Sequence, residues 1–312
     1  MRRICVAVLM LLTAWTAISA NEGSLRGDAN HDGHVDVFDM NILINHILNV
    51  AEMDDLSICD MNGDSILDVR DLNMLINVIL GANMPDQKET LTANGISFNM
   101  LPVGHGTFTL GDPDDDENPV HEVTLSHDFY MCETEVTQAL WTAVMGSNPS
   151  YFKGDNLPVD KVSWEDCQAF IKKLNSLTGK NFRLPTEAEW EYCARGGDKS
   201  QGSLYSGGND LDQVAWYSAN SGNKPHPVAT KKPNELGLYD MCGNVWEWCQ
   251  DWYGPYSSDS QTDPTGPESA FYRIRRGGSW CNSADDCRVS ARDYNIPEFR
   301  ISYLGLRLVY TK

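Results

Sequence analysis

The sequence predicts an α+β protein with a small helical unit toward its N-terminus. Three observations predict it. An offset of 32 residues relates 28–48 to 60–80, so this stretch is an internal duplication. Beyond it, only a few segments carry helix-start signals. Between those lie short alternating apolar runs, separated by long loops rich in Gly, Pro, Asn and Asp.

The first twenty residues are expected to be a secretory signal peptide. Arg2 and Arg3 make a basic start, Ile4 to Leu12 is an apolar run, and Ala20 is a small residue suited to cleavage. A membrane span needs a longer apolar stretch, and none is expected. Cys5 lies too early for a lipoprotein cysteine. The mature chain is then secreted or periplasmic. It keeps eight cysteines: Cys59, Cys132, Cys167, Cys193, Cys242, Cys249, Cys281 and Cys287. An oxidising compartment leads us to expect that some of them pair. The formal charge of −20 repels phosphate backbones, which disfavours nucleic-acid partners.

The duplicated unit spaces oxygen ligands as a calcium loop needs. Residues 28–39 read DANHDGHVDVFD and residues 60–71 read DMNGDSILDVRD. Asp28, Asn30 and Asp32 take positions 1, 3 and 5 of the first loop; Asp60, Asn62 and Asp64 take them in the second. Position 7 offers the carbonyl of His34 or Ile66, position 9 is Asp36 or Asp68, and position 12 is Asp39 or Asp71. Calcium takes about six to eight oxygens, so alternating carboxylates on a tight loop suit it. Position 6 is Gly33 in one copy and Ser65 in the other, which predicts a weaker second site. Each loop runs into a Leu/Ile-patterned helix (MNILINHIL, LNMLINVIL). Residues 21–27 are too short and polar for an EF-hand entering helix. The pattern over residues 28–81 resembles a dockerin, a small all-α module of two loop–helix repeats. That resemblance implies a cohesin-type partner, chosen partly through positions 10 and 11: Val37 and Phe38, then Val69 and Arg70. The dockerin-like domain is placed at 21–81, and residues 82–95 read as a linker.

The domain at 96–312 has few helices. Ser163-Trp-Glu-Asp166 is a capping box that puts Cys167, Phe170, Ile171, Leu174 and Leu177 on one face, with Gly179 as the stop. Thr186-Glu-Ala-Glu189 is a second capping box. Thr137 caps a third helix running to Gly146. His121–Ser126 and Leu304–Val309 alternate as strands do. His121 and His127 have no evident third ligand and read as structural.

Five phrases then occur in order: Glu135-Val-Thr-Gln138, Pro158–Trp164, Arg183-Leu-Pro-Thr-Glu-Ala-Glu-Trp-Glu-Tyr192, Gly237-Leu-Tyr-Asp-Met-Cys-Gly-Asn-Val-Trp-Glu-Trp248 and Arg276-Gly-Gly-Ser-Trp280. Together they resemble the formylglycine-generating enzyme family, also called sulfatase-modifying factors, across residues 98–310. The resemblance implies a loop-rich fold similar to a C-type lectin. It also implies a copper- and oxygen-dependent oxidation of a sulfatase cysteine to formylglycine. Cys281 and Cys287 would be the catalytic pair and the copper ligands, and Ser279 would line the oxygen pocket. Two thiolates suit Cu(I).

The chain departs from the family pattern here. After Gly-Gly-Ser the family has two residues, a Cys, four residues and a second Cys. In this chain Asn282 occupies the first cysteine position and Cys287 the second. Cys287 in a disulfide with Cys249 or Cys193 is the competing expectation, and Ser279 as a turn residue is another. The resemblance also implies a calcium site at Asp240, Gly243, Val245 and Glu247, against which stands Glu247 in a buried ion pair. Trp280 and Tyr253 are candidate cleft aromatics. Three functions follow: an oxidase acting on a sulfatase, a non-catalytic lectin-like module that binds a glycan or protein, or a structural subunit whose main role is docking into a larger extracellular assembly.

Overall fold

The computed structural model describes residues 26–48, 57–61, 66–79, 88–112 and 119–311. The expected signal peptide lies outside these residues, as do Asn62, Asp64 and Ser65 of the second loop. The chain divides into two compact units, Met1–Asp86 and Gln87–Lys312.

In the first unit, α1 (Val37–Ile47) and α2 (Val69–Ile79) begin at equivalent positions of the duplication. Asp36 caps α1, accepting from Phe38 N at 2.7 Å, while Asp39 accepts from Asp36 N at 2.8 Å. The reciprocal bond recurs in the second copy, where Asp71 accepts from Asp68 N at 3.0 Å. Leu43 and Leu75, also equivalent, are fully buried and meet Ile58, Cys59 and Met61. Few other side chains are buried in this unit among the described residues, so its apolar core alone supplies little stability.

The second unit is built from short strands around a few helices. Strands β1 (Glu89–Ala93), β2 (Ile96–Val103), β3 (Gly106–Leu110), β4 (His121–Leu125) and β5 (Phe129–Cys132) come first. Helices α3 (Gln138–Met145) and α4 (Trp164–Thr178) follow, then β6 (Phe182–Arg183), α5 (Glu187–Ala194) and the single turn α6 (Leu211–Val214). The chain ends with β7 (Trp246–Trp252), β8 (Gln261–Thr262), β9 (Arg273–Arg276), β10 (Arg292–Asn295), β11 (Leu304–Leu306) and β12 (Val309–Tyr310). Three sheets result, in the orders β1-β2-β5-β12-β6, β10-β9-β7-β11 and β3-β4-β8. This is the mixed helix-and-sheet architecture expected of an α+β chain.

The helix starts fall where the capping signals put them. Ser163 accepts from Asp166 N, Thr186 from Glu189 N and Thr137 from Leu140 N. Gly146 and Gly179 close their helices in the left-handed conformation. On α4 the buried face is Cys167, Phe170, Ile171 and Leu174; Leu177 is 48% exposed and does not belong to it.

Two expectations are corrected. Residues 89–95 are not linker: β1 pairs antiparallel with β2 from Glu89↔Met100 to Ala93↔Ile96. Asn94 and Gly95 both adopt positive φ in the turn, and an Asn-Gly pair between alternating residues is a strong hairpin signal. The run Leu304–Val309 is two strands. β11 pairs parallel with β7, and β12 pairs with β5 and β6, because Arg307 turns inward between them.

Two apolar clusters fill the unit. One packs α3 and α4 against β1, β2, β5 and β12, with Trp141 stacked on Phe170 at 4.8 Å. The other gathers Trp190 and Cys193 of α5 with Met241, Cys242, Cys249 and Cys287. The loop that carries the candidate chemistry rests on this second cluster.

Candidate functional site

The loop after β9 is anchored by Arg276, whose side chain has no solvent exposure. Its guanidinium pairs with buried Glu191 and donates to Ser290 O at 2.9 Å. Gly277 and Gly278 follow, both at positive φ. A Cβ on Gly278 would stand 2.7 Å from Cys287 Sγ and 2.8 Å from Asp286 O, so only glycine fits. Gly277 O accepts from Gly243 N at 2.7 Å, and Trp280 N donates to Asn244 O at 2.8 Å. The Gly-Gly-Ser turn is thereby tied to the Gly243–Asn244 segment.

Ser279 is fully buried. Its Oγ lies 3.3 Å from Cys281 Sγ and donates to Asn282 Oδ1. Asn282 Oδ1 also accepts from Trp246 Nε1 at 2.9 Å, and Asn282 O accepts from Ser218 N at 3.0 Å. The side chain at the family's first cysteine position is thus an amide held by a buried indole and a hydroxyl.

The two cysteines lie in opposite environments. Cys281 is exposed. Cys287 is fully buried at the end of a short 3-10 turn, Asp285–Cys287. Burial pushes the Cys287 thiol well above its ordinary range, and the neighbouring Cys242 adds to the shift. Cu(I) bound by two protein sulfurs needs two convergent thiolates. One sulfur here is exposed, the other is held protonated in the core, and the family's first position has no sulfur. The residues present do not fit the copper site.

The expected disulfides are also absent among the described residues of this unit, where Cys132, Cys167, Cys193, Cys242, Cys249, Cys281 and Cys287 are free thiols. Cys287 shares its core cluster with Cys193, Cys242 and Cys249, and Cys242 is the thiol whose charge acts on it. Burial raises the thiols of Cys167, Cys193 and Cys249 well above normal, Cys132 to about 11 and Cys242 to about 12. Such thiols are unreactive core groups.

Beneath the turn lies a buried ionic cluster. Glu247 Oε1 accepts from Arg307 Nη2 at 2.8 Å, and Oε2 accepts from Trp190 Nε1 at 2.7 Å. Glu135 accepts from Asn244 Nδ2 at 2.8 Å and from Val245 N at 3.0 Å. Asp240 accepts from Ala229 N at 2.7 Å through Oδ2, while its buried Oδ1 has no partner. Burial, then the charge of Asp240, pushes Glu135 well up; burial pushes Asp240 up to about 6. Both Glu247 oxygens are therefore paired, with Arg307 and Trp190, which is the buried ion pair that stood against its reading as a calcium ligand. Asp240 does fit, since its free oxygen and the surplus of carboxylates over Arg307 suit a hard cation. Asp240 would hold calcium with the carbonyls of Gly243 and Val245, and the ion would supply structural charge compensation. Glu135, Asn244 and Arg307 are members of this cluster that residue types alone did not single out. The signal for Glu135 was its place in the first family phrase.

In the first acidic loop, Asp28 accepts from Asp32 N at 3.1 Å and Gly33 N at 2.9 Å. Asn30 Oδ1 accepts from Asp32 N at 2.9 Å, and Asp39 accepts from Asn30 N at 3.1 Å. Burial raises the Asp39 carboxyl, and the charges of Asp28 and Asp36 add to it. The oxygen-only residue types of this loop suit calcium, which Asp28, Asn30, Asp32, Asp36, Asp39 and the His34 carbonyl would hold; among the described residues no three acidic side chains are gathered as a metal cluster. Of the second set, Asp60, Ile66, Asp68 and Asp71 are described.

Trp280 is a packed residue: its ring meets Phe152 at 5.6 Å, and Nε1 donates to Ser302 O at 3.2 Å. His121 sits edge-on to Tyr256 at 5.1 Å, consistent with a structural role.

Residues 87–312 match the sulfatase-modifying factor enzyme 1-like domain, and residues 26–80 match the dockerin type I domain. A chaperone protein LppX of Paenibacillus barcinonensis is 39% identical over 246 residues, covering 62% of this chain and 83% of the relative. The formylglycine-generating enzyme of Streptomyces coelicolor is 33% identical over 278 residues, covering 65% and 86%. Treponema denticola variable protein 1 superposes with a TM-score of 0.69 at 38% identity, over 72% of this chain and all but 1% of its own (99% covered). PvdO from Pseudomonas aeruginosa superposes at 0.60 with 27% identity, over 74% and 100%. Among the described residues, no helix is long and apolar enough to cross a membrane. Dockerin domains bind calcium and cohesins, which accords with the oxygen-rich loop at Asp28–Asp39. The ordered phrases, the twin-glycine turn on a buried arginine and the shared fold lead to one assignment: the chain belongs to the sulfatase-modifying factor enzyme 1-like family and carries a dockerin type I domain ahead of that domain.

Proposed function

We propose that this protein is a non-catalytic binding member of its family, exported and tethered to a cohesin-type partner through its calcium-loaded dockerin. The observation that carries the proposal is the state of the copper position. Asn282 stands where a thiolate is required and is committed to Trp246 and Ser279, while Cys287 is buried beside Cys242. Relatives whose names denote other roles, a chaperone protein and a variable protein, agree with a family domain used without the oxidase chemistry. In this reading the Gly-Gly-Ser turn is a structural bracket, and the domain presents a surface to a glycan or protein ligand. The N-terminal basic and apolar run supports export, and the dockerin supports display outside the cell.

The test is a competitive Cu(I) titration of the reduced full-length mature chain, paired with alkylation of its thiols. The expected result is weak Cu(I) retention and rapid labelling of Cys281 alone under native conditions. A sulfatase-motif peptide incubated with protein, copper and oxygen should yield no aldehyde that a hydrazide probe captures. Tight Cu(I) binding that shields both Cys281 and Cys287, with aldehyde formed on the peptide, would establish the oxidase instead.

A further inference from the structure

Strand β10 is the edge of its sheet, and its outer side carries Tyr294, 40% exposed. The Tyr294 ring lies 4.0 Å from that of Tyr253 and 4.9 Å from that of Tyr272. Tyr253 N donates to Tyr272 O at 2.7 Å, which locks two of the three rings to one backbone junction. Phe271, next to Tyr272 in the chain, is 85% exposed. An exposed, contiguous group of aromatic faces on a chain of this acidity needs an explanation other than packing.

The platform borders a cavity of about 350 Å³ between β7, α5 and the 254–267 loop. Arg292 joins the two. Its guanidinium lies 4.8 Å from the Tyr253 ring, donates to Gly254 O at 3.1 Å, and lines the cavity. The cavity wall is apolar at Trp252 and Ile274, and carries Ser257, Gln261 and Thr265 as uncharged hydrogen-bonding groups. Its charged groups cancel: Arg292 grips Glu187 through two bonds of 2.8 and 2.7 Å, and the Arg292 side chain is only 6% exposed.

We propose that this platform and cavity form a binding site for a neutral oligosaccharide, with sugar rings stacked on the exposed faces of Tyr294 and Tyr272, which Tyr253 backs from beneath, and one terminal unit hydrogen-bonded in the cavity by Gln261 and Ser257. The site rests on the non-catalytic reading above and names its ligand. Three features select this chemistry. Sugar rings present C–H faces to aromatic planes and hydroxyls at their edges, so they suit a platform that leads to uncharged polar groups. A charge of −20, with no unpaired cation among the described residues that line the cavity, repels anionic glycans. Burial also raises the Asp251 carboxyl in the cavity wall to about 8, which leaves it a neutral donor near pH 7. A basic peptide would be drawn by the overall charge, but the cavity offers it no free carboxylate.

The experiment is isothermal titration of the calcium-loaded full chain with cellohexaose, xylohexaose and mannohexaose, alongside dextran sulfate and a Lys-rich peptide. At least one neutral hexasaccharide should bind, and Tyr294→Ala should weaken it tenfold or more. Gln261→Ala should weaken it several-fold while leaving the aromatic row intact. Circular dichroism and thermal melting of both variants check that they fold. Binding of only dextran sulfate or only the peptide would overturn the proposal, as would neutral-glycan binding that both variants leave unchanged. Binding to none of the probes would also overturn it. None of these results depends on copper, so the Cu(I) titration judges the non-catalytic reading separately.

Discussion

Arg307 and Glu247 form a fully buried ion pair, with Nη2 2.8 Å from Oε1 and the side chains 0% and 1% exposed. Arg307 also donates to Cys132 O at 2.9 Å and Tyr239 O at 2.7 Å, so one guanidinium ties β5, β7 and the Asp240 segment together. Removing it would strand Glu247 beside Glu135 and Asp240. Arg307→Met is expected to lower stability by ~3–5 kcal/mol, read from urea denaturation midpoints. The double variant with Glu247→Gln should recover part of that loss, because the stranded charge goes with it.

Asn282 accounts for a second expectation. Its Oδ1 satisfies the buried Trp246 Nε1, and no other acceptor for that indole is found among the described residues. Asn282→Ala should cost about 1–3 kcal/mol, through an unsatisfied buried donor and the lost packing. Copper affinity should not change. A thermal shift assay with and without Cu(I) reads both outcomes.

The dockerin unit buries few apolar side chains, and its carboxylates crowd one loop. Removing calcium should therefore unfold it while the larger domain persists. Chelation is expected to lower the helical circular dichroism signal and abolish capture by a cohesin-type partner. Asp28→Ala should do the same at the first loop, since Asp28 accepts from both Asp32 N and Gly33 N. Capture that persists in chelator would refute the calcium-dependent route.

A pH dependence follows from Asp251. Burial is the main cause of its raised carboxyl, followed by the charge of Glu187, and the folded value is about 8. The fold therefore binds this proton more tightly than the unfolded chain does. The sign is fixed by that: the contribution to stability is complete below the ordinary carboxylate range near pH 4 and is lost as pH rises toward 8. The slope from one group cannot exceed ~1.4 kcal/mol per pH unit. Asp251→Asn should flatten the fall in melting temperature between pH 5.5 and 8 while preserving the bond from Glu187 N. Unchanged slopes in the variant would refute the assignment.

Much of the architecture was legible in the chain itself. Capping boxes at Ser163 and Thr186 announce helices because their hydrogen bonds are local, between residues three apart. The duplication places α1 and α2 for the same reason. The hairpin at Asn94-Gly95 was equally local, yet the polar, Thr-rich strand before it reads as linker when judged by apolar content. Leu177 was assigned to the buried face of α4 by spacing, but the buried face ends at Leu174 and Leu177 is exposed.

The sequence by itself determined the family, the dockerin repeat and the loop that carries the cysteines. These are matters of residue identity and short-range spacing. Only the tertiary structure decided what those residues do. It turned Glu247 toward Arg307, 60 residues away in the chain, and left Asp240 with a free buried oxygen. It buried Cys287 beside Cys242 while Cys281 stayed in solvent, and it assembled Tyr253, Tyr272 and Tyr294 into one platform. Protonation state and ion pairing depend on burial and on partners brought together by folding, and spacing along the chain carries neither.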